Sequence, residues 1–175
     1  MNRWLDRILL GGVACLALAL ILVVSGTLEQ HVTNAGDKAP GFTVHTEDGR
    51  TISRNDFGGK LLVLNFWATW CEPCIVEIPS LDAFQRQFAK DGVVVLGVSI
   101  DRNEKLYRQF LEQAHLSFAT TRDPEENISS SYGTFQWPET YIIDRNGKVL
   151  EKVISNQNWM DPEFVAKVRN WLGNA

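Results

Sequence analysis

Three cysteines in 175 residues are too few to staple a small domain together. Cys15 falls in an apolar N-terminal stretch, which leaves Cys71 and Cys74 as a single pair. Histidine is equally sparse, with His31, His45 and His115 scattered along the chain. A four-ligand structural zinc site therefore lacks donors, and no metal is expected. An excess of positive charge is also missing, since 17 Lys and Arg against 21 Asp and Glu leave a formal net charge of −4. With no basic stripe and no phosphate loop, nucleic-acid binding has no support. Repeats and low-complexity tracts are absent. The length and a 45% hydrophobic content suit one domain with a good core, plus an appendage.

The appendage is the N-terminus. Arg3 and Arg7 precede an uncharged run from Ile8 to Leu28 whose apolar part ends at Val24. As a helix rising ~1.5 Å per residue it spans about 32 Å, enough for a bilayer core of about 30 Å. The arginines place the short N-terminal side in the cytoplasm and the rest of the chain outside it. The run predicts a single-pass anchor over residues 1–28, followed by a polar linker at 29–35 and a folded domain at 36–175. A cleaved signal peptide, with Val23 and Ser25 before the cut, is the alternative. The run is longer than a usual signal core and lacks a clear A-x-A end, which favours the anchor.

Within the domain, Thr43–His45 and Thr51–Ser53 flank Asp48-Gly49 and predict a small hairpin. Asn55–Phe57 is expected to make one helical turn. Lys60–Trp67 is nearly continuous in apolar residues, as expected of a central strand covered on both faces. Ile75, Ile78, Leu81, Phe84 and Phe88 recur at helical spacing up to Asp91-Gly92, with Pro79 inside. Val93–Ser99 predicts a second buried strand, and Glu104–Ala114 an amphipathic helix with Leu106, Phe110 and Leu111 inward. Phe118–Thr121 suits a short strand and Pro124–Tyr132 a short helix. Thr140–Ile143 and Val149–Val153, joined through Asn146-Gly147, predict a hairpin. Asp161 and Pro162 start a closing helix as cap and first residue. Alternating strands and helices of this kind describe an α/β mixed sheet with helices on both faces.

Cys71-Glu72-Pro73-Cys74 sits where the buried strand gives way to a helix. Unpaired N–H groups and the helix dipole stabilise a thiolate on Cys71, and the thiolate is the species that attacks disulfides. Cys71 is expected to attack, and the more buried Cys74 to resolve the mixed disulfide. A peroxidatic cysteine would want a threonine three residues earlier, where this chain has Ala68. The pair is itself the redox group, so no further cofactor is expected. Glu72 either opposes the thiolate, favouring a reductant, or is a solvated surface carboxylate.

Asn65-Phe66-Trp67-Ala68-Thr69-Trp70-Cys71-Glu72-Pro73-Cys74, the Gly36-x-x-Ala39-Pro40-x-Phe42 opening, Pro79 and Trp137-Pro138-Glu139-Thr140 carry a resemblance. From about Gly36 to Trp171 the chain resembles the membrane-tethered TlpA/ResA/CcmG-like thioredoxins. Cys71–Cys74 and Glu77 are similar to the ResA type, and Pro138-Glu139-Thr140 to CcmG. The resemblance implies a thioredoxin fold with an N-terminal hairpin and a central insertion. It also implies an extracytoplasmic thiol–disulfide oxidoreductase that reduces protein disulfides, commonly those of apocytochrome c, and is itself reduced by a thiol–disulfide donor in the membrane.

The family's cis-proline falls on Pro138, and its buried acid on Glu77. Asn65 stands where plain thioredoxin has an aspartate. Glu77, one turn after Cys74, is then the expected acceptor of the Cys74 proton, with a pKa raised by burial; the alternative is an exposed helix glutamate. Trp70, Glu72, Pro73, Trp137 and Pro138 form the expected substrate contacts, whereas Trp67 reads as core. Two other functions fit the same sequence: a disulfide oxidant or isomerase, and a peptide-binding module without turnover.

Overall fold

A computed structural model describes residues 3–27 and 32–173. The chain divides into two units on either side of the His31–Val32 boundary. In the first, Arg3–Thr27 forms helix α1. Its apolar side chains from Ile8 to Val23 are exposed around the whole circumference. Among the described residues no helix is long and apolar enough to cross a membrane. The side chains of residues 24–27 and the whole of residue 28, which complete the expected span, lie outside the described set, as do residues 29–31 of the expected linker.

In the second unit, strands β1 (Thr43–His45) and β2 (Thr51–Ser53) pair antiparallel, with Gly49 supplying the positive φ their turn requires. The expected helical turn at Asn55–Phe57 does not form. Ser53 and Asp56 instead exchange backbone hydrogen bonds, closing a tight turn that leaves no continuous helical ladder.

The main sheet contains β3 (Leu61–Trp67), β4 (Val93–Ser99), β5 (Ala119–Arg122), β6 (Glu139–Asp144) and β7 (Val149–Ile154), in the order β5-β4-β3-β6-β7. β3 runs parallel to β4 and antiparallel to β6, so the sheet is mixed and β3 lies at its centre. All seven β3 residues are buried, which is why the strand reads as a run and not as an alternation.

Side chains alternate across β3. Leu62, Leu64 and Phe66 enter a core with Ile52, Phe57, Tyr132 and Tyr141, beneath the hairpin and the short helix α4 (Asn127–Ser131). Leu61 and Val63 face α2 (Glu72–Phe88) and α5 (Pro162–Gly173) through Leu81, Phe84, Phe164 and Val168. Asp161 caps α5 as expected, accepting from Glu163 N at 2.9 Å.

Helix α3 (Glu104–Ala114) corrects one expectation. Leu106 is exposed, and the inward stripe begins at Tyr107 and continues through Phe110, Leu111 and Ala114. Tyr107 wins the interior because its ring packs on Trp67 while its hydroxyl meets Thr120 Oγ1 at 2.9 Å. Leucine at position 106 has no such polar partner to offer.

Candidate functional site

The site is built at the point where β3 ends. Ala68 is buried, the chain turns at Thr69-Trp70, and Cys71 becomes the N-cap of α2. Asp101, just beyond β4, fixes that turn. Its carboxylate accepts from Thr69 N at 2.9 Å, Thr69 Oγ1 at 2.7 Å and Ser99 Oγ at 2.7 Å. Sequence reasoning missed Asp101, because the partners lie 32 residues apart in the chain.

Cys71 and Cys74 are joined as a disulfide with Cα atoms 5.2 Å apart. Cys71 Sγ also accepts from Cys74 N at 3.3 Å, one of the free N–H groups of the first helical turn. The same N–H and the dipole would stabilise a thiolate there once the bond opens. Cys71 is 6% exposed and Cys74 fully buried, so of the two sulfurs Cys71 is the one a partner can approach. Glu72 and Pro73 are exposed on the first turn beside them.

Trp137 and Pro138 lie against the same end of the sheet. Their peptide bond is cis. Trp137 packs with the cluster that holds Cys71, Cys74, Ile78 and Trp67, which brings the penultimate strand's start to the disulfide. Trp70 is 64% exposed and meets the Trp137 ring edge-on at 6.0 Å. Together with Ile100, Arg102 and Leu106 they line a groove of about 400 Å³. Trp67, by contrast, is core, packed on Tyr107 and Phe110.

Glu77 is buried on the inner face of α2, at 2% exposure, one turn past Cys74. It is not a helix-surface carboxylate. Asn65 Nδ2 donates to its Oε1 at 2.8 Å, and Trp159 Nε1 donates to its Oε2 at 3.2 Å. The Gln157 N–H adds a longer contact to Oε2 at 3.4 Å. Burial pushes the carboxyl up to about 7, against the hydrogen bonds from Asn65, Trp159 and Gln157, which pull it down. Asn65, noted in the sequence only for standing where plain thioredoxin has an aspartate, is thus a partner of the acid. Gln157 and Trp159 carry no sequence signal for this role, being 80 and 82 positions from Glu77 in the chain.

A second buried acid was also missed as a site residue. Glu139, directly after Pro138, pairs with Lys152 at 2.7 Å and accepts from Thr134 Oγ1 at 3.2 Å and from the Tyr141 hydroxyl. Lys152 in turn lies over the Tyr141 ring, 5.2 Å from its centroid. This ionic cluster anchors the start of β6 from the sheet face opposite Glu77. Among the described residues no group of three His, Cys, Asp or Glu could hold a metal ion.

Residues 35–152 match the sequence profile of the AhpC/TSA family. The thiol-disulfide oxidoreductase ResA of a Bacillus cereus strain is 31% identical over 156 residues, which cover 89% of this chain and 90% of that protein. The thioredoxin-like protein YneN of Bacillus subtilis is 37% identical over 119 residues, 66% of this chain and 69% of its own. A Chlorobium tepidum crystal structure, named for the thiol:disulfide interchange protein DsbE, superposes with a TM-score of 0.73 at 30% identity, covering 81% of this chain and 99% of that one.

Proposed function

Because this chain belongs to the AhpC/TSA family of thioredoxin-like proteins, alongside the ResA-like thiol–disulfide oxidoreductases, we propose that it reduces protein disulfides outside the cytoplasm. The observation that carries the reading is the Cys71–Cys74 disulfide at the head of α2, with a buried acid one turn below it.

In the reduced protein, the Cys71 thiolate attacks one sulfur of a substrate disulfide. A Cys71–substrate bond forms, and the other substrate sulfur leaves as a thiolate that takes up a proton. Cys74 then loses its proton to the Glu77 carboxylate and attacks Cys71 Sγ. The mixed disulfide breaks, the second substrate sulfur leaves as a thiolate that takes up a proton, and Cys71–Cys74 closes, after which Glu77 gives up the proton it took. Two electrons have passed to the substrate, and a thiol–disulfide donor in the membrane restores the dithiol. A carboxyl with a pKa of about 7 is suited to this step, since it can both accept and release a proton near neutrality.

Trp70, next to Cys71 in the chain, and Trp137, packed edge-on against the Trp70 ring, give the substrate segment an apolar seat. Pro138 has no N–H of its own, so the backbone at Trp137 is left to face an extended chain. Apocytochrome c, whose haem-binding cysteines must be reduced before attachment, is the substrate the ResA likeness favours.

The N-terminal helix acts as a single-pass anchor in the cytoplasmic membrane, with the short N-terminus inside and the catalytic domain outside. The uncharged run after Arg7 and the apolar, exposed surface of α1 support this. Trapping tests the function. A Cys74→Ala variant cannot release a substrate attached to Cys71, so disulfide-linked proteins should accumulate on it and be identified by mass spectrometry. A variant that stays unlinked in cells would contradict turnover through Cys71.

A further inference from the structure

The surroundings of Glu77 contain more than its burial requires. From β3 it meets Asn65, behind which stands Thr140 of β6, and from the β7–α5 loop it meets Gln157 and Trp159. On its own helix lie Cys74, one turn earlier, and Ser80. Every hydrogen-bonding partner is neutral, and every one is a donor to the carboxylate.

The two oxygens are served differently. Oε2 takes the Trp159 indole N–H, which can only donate. That indole is fixed: its ring is fully buried, 5.2 Å from Phe164 and 6.1 Å from Phe84. Its backbone N–H donates to Ser80 Oγ at 3.2 Å, and Ser80 Oγ donates to the Glu77 carbonyl at 2.8 Å. Trp159 is thus pinned to the helical turn that carries the acid. Oε1 takes the Asn65 amide, which has both a donor and an acceptor end. Asn65 Nδ2 reaches Glu77 and Thr140 Oγ1, each at 2.8 Å, while Asn65 Oδ1 is buried with no hydrogen-bond partner. A buried acceptor without a partner is unusual and calls for an explanation.

We propose that Trp159 and Asn65 are positioning residues that set the proton affinity of Glu77 from opposite sides. Trp159 favours the anion: its indole N–H makes a charge-assisted bond to Oε2 of the carboxylate and only an ordinary one to the same oxygen of the acid. Asn65 serves both states: its amide donates to the carboxylate, and when Glu77 is protonated the amide turns over so that Oδ1 accepts the acid proton. The Thr140 hydroxyl follows the turn, accepting from Nδ2 in one state and donating to Oδ1 in the other. The partnerless Oδ1 is the acceptor kept for the acid form. This builds on the reading that Glu77 takes the Cys74 proton.

The test is a titration of Glu77 in the oxidised protein, where neither thiol ionises, followed by the 13Cδ resonance of its carboxyl. In the unaltered protein the Trp159 indole N–H resonance should move with the same midpoint. An indole signal that stays fixed while Glu77 titrates would overturn the role of Trp159.

Trp159→Phe keeps a ring and removes the donor. It should raise the midpoint by about one to two pH units, the size of one charge-assisted hydrogen bond. Asn65→Leu removes a partner from both states and should shift the midpoint by less than half as much. An equal rise in both variants would make Asn65 a fixed donor and overturn its switching role.

In a Glu77→Gln background, Trp159→Phe should leave the alkylation pH profile of the reduced thiols unmoved; a shift there would mean the tryptophan acts on the cysteines by packing alone. If the indole tracks Glu77 yet Glu77→Gln turns over normally, the proton-acceptor reading fails and the present inference stands.

Discussion

At Glu77 burial and hydrogen bonding pull in opposite directions, and burial wins, placing the carboxyl near 7 against an ordinary 4.5. The folded state therefore holds this proton more tightly than the unfolded chain. The stabilisation is fully present below about pH 4.5, and it is lost as pH rises through the folded value near 7. The expected decline is about 3 kcal/mol at most, from the size of the shift. Glu77→Gln cannot titrate, so its denaturant-unfolding free energy should stay flat across that window while the unaltered protein loses stability. Parallel curves for the two proteins would show that Glu77 is not the group responsible. Both measurements belong to the oxidised form, so that cysteine ionisation does not contribute.

At the scale of elements, the junction between β3 and α2 depends on the end of a different strand. Asp101 holds Thr69 by its N–H and hydroxyl, and with it the turn that sets Cys71 at the helix cap. Asp101→Ala strands the Thr69 N–H and should cost about 1–3 kcal/mol. Turnover with a protein disulfide should fall with it. A chemical melt and an activity assay on the same preparation check both, and an unchanged melt would show that the turn holds itself.

Much of this arrangement could be read from local pattern. The strand-to-helix junction, the Asn146-Gly147 hairpin and the Asp161 cap each depend on residues within one or two turns of one another. So does the spacing that puts Glu77 one turn beyond Cys74. Asp101, Trp159 and the Glu139–Lys152 pair could not be read this way. Asp101 and Trp159 act on segments brought beside them only by the tertiary fold, Glu139 and Lys152 meet across the β6–β7 hairpin, and a lone Asp, Trp or Lys has no periodicity to announce its partner. Leu106 failed for a related reason. The interior at that point offers a hydrogen-bond partner, Thr120, that favours the Tyr107 phenol.

For the whole molecule, the end of the central strand β3 presents the more accessible sulfur of the pair, aromatic side chains and a buried acid, and the proposed anchor would set where these work. If the helix is an anchor, carbonate washing of membranes should leave the full-length protein in the pellet. A soluble form starting near Gly26 would instead establish a cleaved signal. Neither outcome alters the chemistry of the Cys71–Cys74 pair, whose direction of electron flow is a property of the domain. That direction is read most directly by equilibrating the protein with thiol–disulfide buffers and quantifying the Cys71–Cys74 disulfide to obtain its reduction potential. A reductant requires a value near that of thioredoxin, roughly −270 mV, and a value near roughly −120 mV would mark the protein as an oxidant and contradict the proposed function.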